Sequence, residues 1–359
     1  MKTLTRMEIL RSEVFPPPSF DDLLMVPQYT EVKSRLDPNI SSYLSATSKL
    51  EVPVISSPMD TVTESHMAVS LGSRGAMGVI HRFMSPSDQM REIKRVLESG
   101  VSPAFAIGVG AGEKDRFSSV YSEFGSSLGW VSIDVANGHS IYMREMLSWV
   151  KDKVGDSVNV MAGNVATGEG YAFLSESGAD AVRVGIGGGS ICKTRIMTGF
   201  GVPTLYSVMD CYETKVSGRL SASIIADGGI RYPADLVKSI AAGADAVMAG
   251  RIFAATLESP GEAIMINGSQ NKVYRGMASR EVQEDKRGGL RPGTCSEGVS
   301  TNIPVKGKAH YILDEFSGGL RSAMTYAGAI SIPEFRSNAR FLRMSSSSLD
   351  ESHAFGTKV

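Results

Sequence analysis

Cysteine is scarce in this chain: three in 359 residues, at Cys192, Cys211 and Cys295. Three cannot build a disulfide framework, so the fold must rest on a buried core. A reducing compartment, where a free thiol stays available, is the expected setting. Net charge is nearly absent as well, with 37 Lys and Arg against 38 Asp and Glu. That excludes bulk positive charge as a way of holding a phosphate backbone, and no nucleic-acid partner is expected. No apolar run approaches the length of a membrane span. The N-terminal stretch M-K-T-L-T-R-M-E-I-L-R carries charges throughout and lacks the apolar segment of a secretory signal. A cytoplasmic protein with no membrane partner is the expectation.

What is present is core. Hydrophobic residues make up 42% of the chain and charged ones 21%, enough to bury a large interior. The length suits one large α/β barrel. Short, almost continuously apolar runs recur at 52–59, 75–81, 104–110, 130–138, 158–165, 181–187, 223–229 and 246–252. Strands buried on both faces read this way. Between them lie helix-length amphipathic stretches. One is S-P-S-D-Q-M-R-E-I-K-R-V-L (85–97), with a Ser-Pro start; another is Y-P-A-D-L-V-K-S-I-A-A-G (232–243), closing on glycine. Eight alternations of strand and helix predict a (β/α)8 TIM barrel. A doubly wound open sheet is the second choice, since no switch point is visible.

One interval breaks the rhythm. The sixth and seventh runs start 42 residues apart (181 to 223), against 23 to 29 for the others. The excess opens with G-I-G-G-G-S-I-C-K-T-R (185–195), which places Cys192 at the end of a glycine-rich loop. A dinucleotide fingerprint does not fit, because Cys192 and Thr194 stand where its helix should begin and no acidic residue follows at the right distance. A long loop after a barrel strand lies on the C-terminal face, where barrels carry their chemistry. Other polar residues gather at the same ends of their runs: Ser57 beside Met59, Asp134, Asn137, Asn164 and Asp227. That convergence points to an enzyme. Glycines in A-D-G-G-I-R-Y-P (226–233) and M-A-G-R (248–251) suit either tight turns or an anion held by backbone N–H groups after strands seven and eight. Residues 280–303 are polar, glycine-rich and without periodicity, and are expected to form a flap, either a mobile lid or plain disorder. The segment 344–359 reads as a tail.

Six stretches together carry a resemblance: S-S-P-M-D-T-V-T-E (56–64), D-V-A-N-G-H (134–139), A-G-N-V-A-T (162–167), G-G-G-S-I-C-K-T-R (187–195), A-D-G-G-I (226–230) and Y-R-G-M (274–277). The chain resembles the IMP dehydrogenase/GMP reductase family from F-D-D-L-L-M-V-P (20–27) to near its C-terminus. The resemblance implies that Cys192 attacks C2 of the purine of a nucleoside 5′-monophosphate while hydride passes between C2 and a nicotinamide cofactor, with a thiolate as nucleophile. It implies a nucleotide site of Ser57, Met59, Ser190, Asp227, Gly229, Gly250, Tyr274, Gly276 and Met277. Asp134, Ala136, Asn137 and Asn164 would face the cofactor. Arg251 stands where the family usually has a small residue, beside the expected phosphate. Carbonyls of Gly187, Gly189 and Cys192 match a monovalent-cation site completed by a neighbour's Glu351, Ser352 and His353, which implies potassium and a homotetramer.

The family's two activities differ in what resolves the thioimidate. The dehydrogenase hydrolyses it with an Arg-Tyr pair on the flap; the reductase exchanges ammonia through a Thr and a Glu. Here Thr194 lies two residues after Cys192, and Glu297 sits in S-E-G, where both branches of the family place their carboxylate. No Arg-Tyr dipeptide occurs in 280–303, the nearest stretches being Arg287-Gly288 and Arg291-Pro292. The flap is short, D-V-A-N-G has the reductase form, and no CBS pair is inserted after the second strand. The expectation is a single catalytic domain over 1–359 with GMP reductase activity, using NADPH (or NAD). Stretches such as 56–64, Y-R-G-M, G-G-L-R-S-A-M-T-Y-A-G-A (318–329) and E-S-H look like bacterial dehydrogenases, so IMP dehydrogenase is the alternative. A nucleotide-binding pseudoenzyme is a further one.

Overall fold

The computed structural model describes residues 3–13, 16–287, 293 and 295–352. Eight strands form the centre: β1 (Val54–Ser56), β2 (Met77–Ile80), β3 (Ala104–Ile107), β4 (Trp130–Asp134), β5 (Asn159–Val165), β6 (Ala181–Val184), β7 (Ser223–Asp227) and β8 (Ala246–Ala249). Neighbours in sequence pair in parallel, and β8 returns to β1 through Val247↔Val54, Met248↔Ile55 and Ala249↔Ser56, closing the barrel. The strands are shorter than the apolar runs that announced them. Gly108–Gly110, Val135–Gly138, Gly185–Gly187 and Gly228–Gly229 share the runs' small or apolar character but have already left the sheet as loops.

Helices cover the outside: α1 (Ser65–Gly72), α2 (Pro86–Glu98), α3 (Ala111–Phe124), α4 (Ile141–Val154), α5 (Gly168–Glu176), α6 (Thr204–Gly218), α7 (Pro233–Ala242) and α8 (Ala309–Tyr326). Their ends obey local chemistry. Ser85 caps α2 by accepting from the Asp88 N–H, with Pro86 at the first helical position. Gly243 ends α7 at φ 121°, which a side chain would resist. The last helix, α8, packs against both α7 and α1 and so closes the outer ring.

Strand period divides the core in two. Ile55, Val79, Ala106, Trp130, Met161, Ala181, Ile225 and Met248 fill the barrel interior, with Leu44 and Leu50 from a short hairpin at its foot. Val54, Ile80, Phe105, Val131, Val182, Ile224 and Val247 face outward into the larger cluster under the helices. Each fully buried side chain of this size contributes about 1.5–3 kcal/mol. The same period carries the inward row upward: Trp130 and Ser132 lead to Asp134, Ala181 to Arg183, and Ile225 to Asp227. The polar residues are the barrel's top layer.

Between β8 and α8 the chain builds a three-stranded antiparallel sheet that the sequence reading did not anticipate: β9 (Ala263–Ile266), β10 (Ser269–Arg275) and β11 (Ser300–Pro304). Its first hairpin turns at Asn267-Gly268, both with positive φ (49° and 77°), the geometry for which Asn-Gly is suited. The expected flap is structured at both ends. Residues Arg280–Arg287 form a helix and Ser300–Pro304 are β11; 288–292 and 294 lie outside the described residues. The tail opens with a helix, Ser346–Glu351. No described helix is long and apolar enough to cross a membrane.

Candidate active site

A cavity of about 720 Å³ lies at the C-terminal ends of the strands, lined from the end of every strand except β3 and roofed by Tyr274, Gly276, Met277 and Glu297. It gathers Ser57, Met59, Asp134, Ala136, Asn164, Gly187, Gly189, Ser190, Cys192, Thr194, Asp227, Gly229, Gly250 and Arg251. Thus almost all the residues singled out in the sequence surround one space. Asn137 does not line it; it is exposed, and its Oδ1 accepts from the His139 N–H. Glu351 and Ser352 are exposed beyond the cavity's lining, and His353 lies outside the described residues.

The cysteine loop leaves β6 at Gly185 and ends where a short helix, Thr194–Thr198, begins. Gly185 has φ 147°, and a Cβ there would stand 2.0 Å from the Asp227 carbonyl oxygen. Only glycine lets the loop cross so near β7. The loop's far side is held by the chain just before β11. Cys192 bridges to Gly298, the Lys193 N–H donates to the Glu297 carbonyl at 2.6 Å, and the Val299 N–H donates to the Ile191 carbonyl at 3.1 Å. Glu297 is itself tied back by its N–H to the Ala278 carbonyl. These backbone bonds place three side chains in a row. The Cys192 thiol donates to Thr194 Oγ1 at 3.2 Å, and that hydroxyl donates to Glu297 Oε2 at 2.6 Å. A thiol proton thus has a path through a hydroxyl to a carboxylate. Cys192 is exposed to the cavity mouth, whereas Cys211 is buried and its thiol is pushed well above the usual range by that burial and by Asp210 nearby.

Beneath the loop runs a line of charges of which the sequence reading picked out Asp134 and Asp227 but missed Arg183 and Arg82. Arg183, on β6, donates from Nε and Nη2 to Asp227 Oδ2 at 3.2 and 2.8 Å, and from Nη1 to Asp134 Oδ1 at 2.5 Å. Burial opposes its charge, yet the two carboxylates outweigh burial and hold it above the ordinary arginine range. Asn164 donates from Nδ2 to Asp227 Oδ2 at 2.9 Å and to the Gly185 carbonyl at 2.8 Å. Arg82 continues the line, reaching the Asp134 carbonyl at 3.3 Å and Glu113 at 3.5 Å. The signal for Arg183 was in view: a charged residue inside A-V-R-V, a strand otherwise buried on both faces.

At the other end the glycines replace side chains. A Cβ on Gly250 would stand 2.8 Å from the Tyr274 hydroxyl and 3.2 Å from Met59 Sδ. Tyr274 is buried; its phenol is pushed up to about 12, chiefly by desolvation. Arg251 borders this end and has no carboxylate partner among the described residues. Among the described residues no cluster of three or more His, Cys, Asp or Glu is placed to hold a metal ion.

A closed parallel barrel with thiol, hydroxyl and carboxylate aligned over one cavity is the architecture of a barrel enzyme. Comparison with known proteins gives the family. Residues 18–355 match the IMP dehydrogenase / GMP reductase domain. An inosine-5′-monophosphate dehydrogenase of Borreliella burgdorferi is 35% identical over 399 aligned residues, covering 93% of this chain and 96% of that protein. One from Cryptosporidium parvum is 34% identical over 391, covering 95% of each. One from Aquifex aeolicus is 31% identical over 472, covering 95% of this chain and 96% of that protein. All three alignments are longer than this chain's 359 residues, so each relative carries inserted residues that this chain lacks, most of all the last. The chain belongs to the IMP dehydrogenase/GMP reductase family and is an NAD(P)-dependent oxidoreductase acting through this barrel.

Proposed function

We propose that this protein is a GMP reductase, converting GMP, NADPH and two protons to IMP, ammonium and NADP⁺. The observation that carries this reading over a dehydrogenase is the absence of an Arg-Tyr dipeptide from 280–303; the Cys192–Thr194–Glu297 line, with its 2.6 Å link between hydroxyl and carboxylate, supplies the proton path. Cys192 passes its proton through Thr194 to Glu297 and its sulfur adds to purine C2. The same relay returns a proton to the exocyclic amine, which leaves as ammonia. Bound NADPH supplies the hydride that C2 receives. Cys192 then departs as thiolate when the C–S bond breaks. Gly229 and Gly250 receive the phosphate with Ser190, Tyr274 and Arg251, while Asp227 takes the ribose hydroxyls. Ser57, Met59, Gly276 and Met277 enclose the base.

The cofactor side fits a polar carboxamide. Arg82 Nε is buried without a hydrogen-bond partner, 3.9 Å from Asp134 Oδ2, and Asn164 and Ala136 border the same space. We assign the nicotinamide end to Asp134, Ala136 and Asn164, which border the cavity, and not to Asn137, which lies outside its lining. A potassium ion on the carbonyls of Gly187, Gly189 and Cys192, completed by a neighbour's Glu351, Ser352 and His353, belongs to the same reading. So do a homotetramer, a cytoplasmic location and a single catalytic domain without a CBS pair.

A second reading is IMP dehydrogenase, with the relay drawing a proton from water instead. The names of the three relatives above favour it. The absence of an Arg-Tyr dipeptide from 280–303 favours the reductase. Product analysis separates them. Ammonia and IMP should appear in equal amounts from GMP and NADPH; XMP from IMP and NAD⁺, with no ammonia from GMP, establishes the second reading. Binding of either nucleotide without turnover leaves a pseudoenzyme.

A further inference from the structure

The two carboxylates on which the cavity reading rests, Asp134 at the cofactor end and Asp227 at the sugar, are joined by one guanidinium. Arg183 is only 5% exposed, and it forks its Nε and Nη2 onto one oxygen of Asp227 while its Nη1 holds one oxygen of Asp134. The other oxygens, Asp227 Oδ1 and Asp134 Oδ2, accept no hydrogen bond among the described residues. Each carboxylate therefore keeps one oxygen for a ligand. The arginine's place is built: a Cβ on Gly163 would stand 2.6 Å from Arg183 Cβ, so β5 carries no side chain there. A pair that served stability alone is replaceable by apolar packing, often without loss. Here both partners face the cavity instead.

We propose that Arg183 is a positioning residue that fixes Asp227, the carboxylate that takes the sugar hydroxyls, against Asp134 on the nicotinamide side, so that purine C2 and the hydride donor meet in register. The inference rests on the reading of the cavity given above. A planar, rigid fork can hold two carboxylates at a set separation; a lysine ammonium neutralises charge as a point and cannot. Misplacement of reacting groups by about 1 Å costs on the order of 10²-fold in rate.

The test is steady-state kinetics of wild type, Arg183→Lys, Asp134→Asn and the double variant, with nucleotide binding by calorimetry and melting temperatures. For R183K a kcat loss on the order of 10²-fold is expected. Its GMP affinity should stay within about tenfold of wild type, so that its binding loss is under 1.4 kcal/mol, and its melting temperature should stay close to wild type. Losses in the double variant should be far from additive, because both changes break one link. A kcat within about threefold of wild type, a loss carried wholly by KM, additive losses, or a lysine variant that does not fold each overturns the proposal. Wild-type turnover separates the two levels. If neither GMP with NADPH nor IMP with NAD⁺ reacts, the cavity reading fails and this inference with it. If wild type reacts and R183K matches it, only the role of Arg183 fails.

Discussion

Thr194 and Glu297, 103 residues apart in sequence, share a 2.6 Å hydrogen bond in which the hydroxyl donates to Glu297 Oε2. The bond joins a loop of the barrel to the base of the flap, and it lies within 3.2 Å of the Cys192 sulfur. Chemistry and flap position are therefore one arrangement. Thr194→Val and Glu297→Gln should each lower kcat by about 10²–10⁴-fold. Nucleotide affinity, measured by calorimetry, should hardly change.

Cys192→Ala should abolish turnover while leaving GMP binding intact. In the wild type, limited alkylation should modify Cys192 and Cys295, which are exposed, and spare Cys211, which is buried with its thiol pushed up. GMP should protect Cys192 alone. Peptide mass mapping reads the pattern, and rapid labelling of Cys211 in the folded protein would count against the core as described.

Tyr274 makes a prediction in the alkaline range. Its ordinary value is 10.0, and in the folded protein desolvation pushes it up to about 12. Below pH 10 both folded and unfolded chains keep the proton, and its contribution to stability is complete. Between about pH 10 and 12 the unfolded chain ionises first, so stability should fall with rising pH. Tyr274→Phe should flatten that part of the denaturation profile and weaken GMP binding by the loss of one hydrogen bond, about 0.5–1.5 kcal/mol.

Gly185→Ala tests the loop's crossing. The residue has φ 147° and an added Cβ would meet the Asp227 carbonyl at 2.0 Å. A backbone atom cannot swing aside as a side chain can. The variant should be destabilised by at least about 2 kcal/mol and lose nucleotide binding, as urea denaturation and calorimetry would record.

The barrel and most of its site were legible in the sequence for physical reasons. Parallel strands buried on both faces read as apolar runs, and the 42-residue interval after 181 marked the one oversized loop. The strand ends were less legible, since Gly108–Gly110 and Gly185–Gly187 look no different in or out of the sheet. The sheet of β9 to β11 went unread although I-N-G-S (266–269) held a hairpin signal. Arg183 stood out as the one charge in A-V-R-V, but its partners Asp134 and Asp227 lie 49 and 44 residues away, and only the fold brings them to it. The partnership of Thr194 with Glu297 is tertiary; chain spacing carries no trace of it, and it was legible only through the family resemblance.

The proposed reaction of this barrel is the reduction of GMP. Absorbance at 340 nm, read in potassium buffer with GMP and NADPH in one cuvette and IMP and NAD⁺ in a second, tests it directly. A fall in the first, with the second silent, is the predicted result. A rise in the second with no change in the first contradicts the account and makes the protein a dehydrogenase.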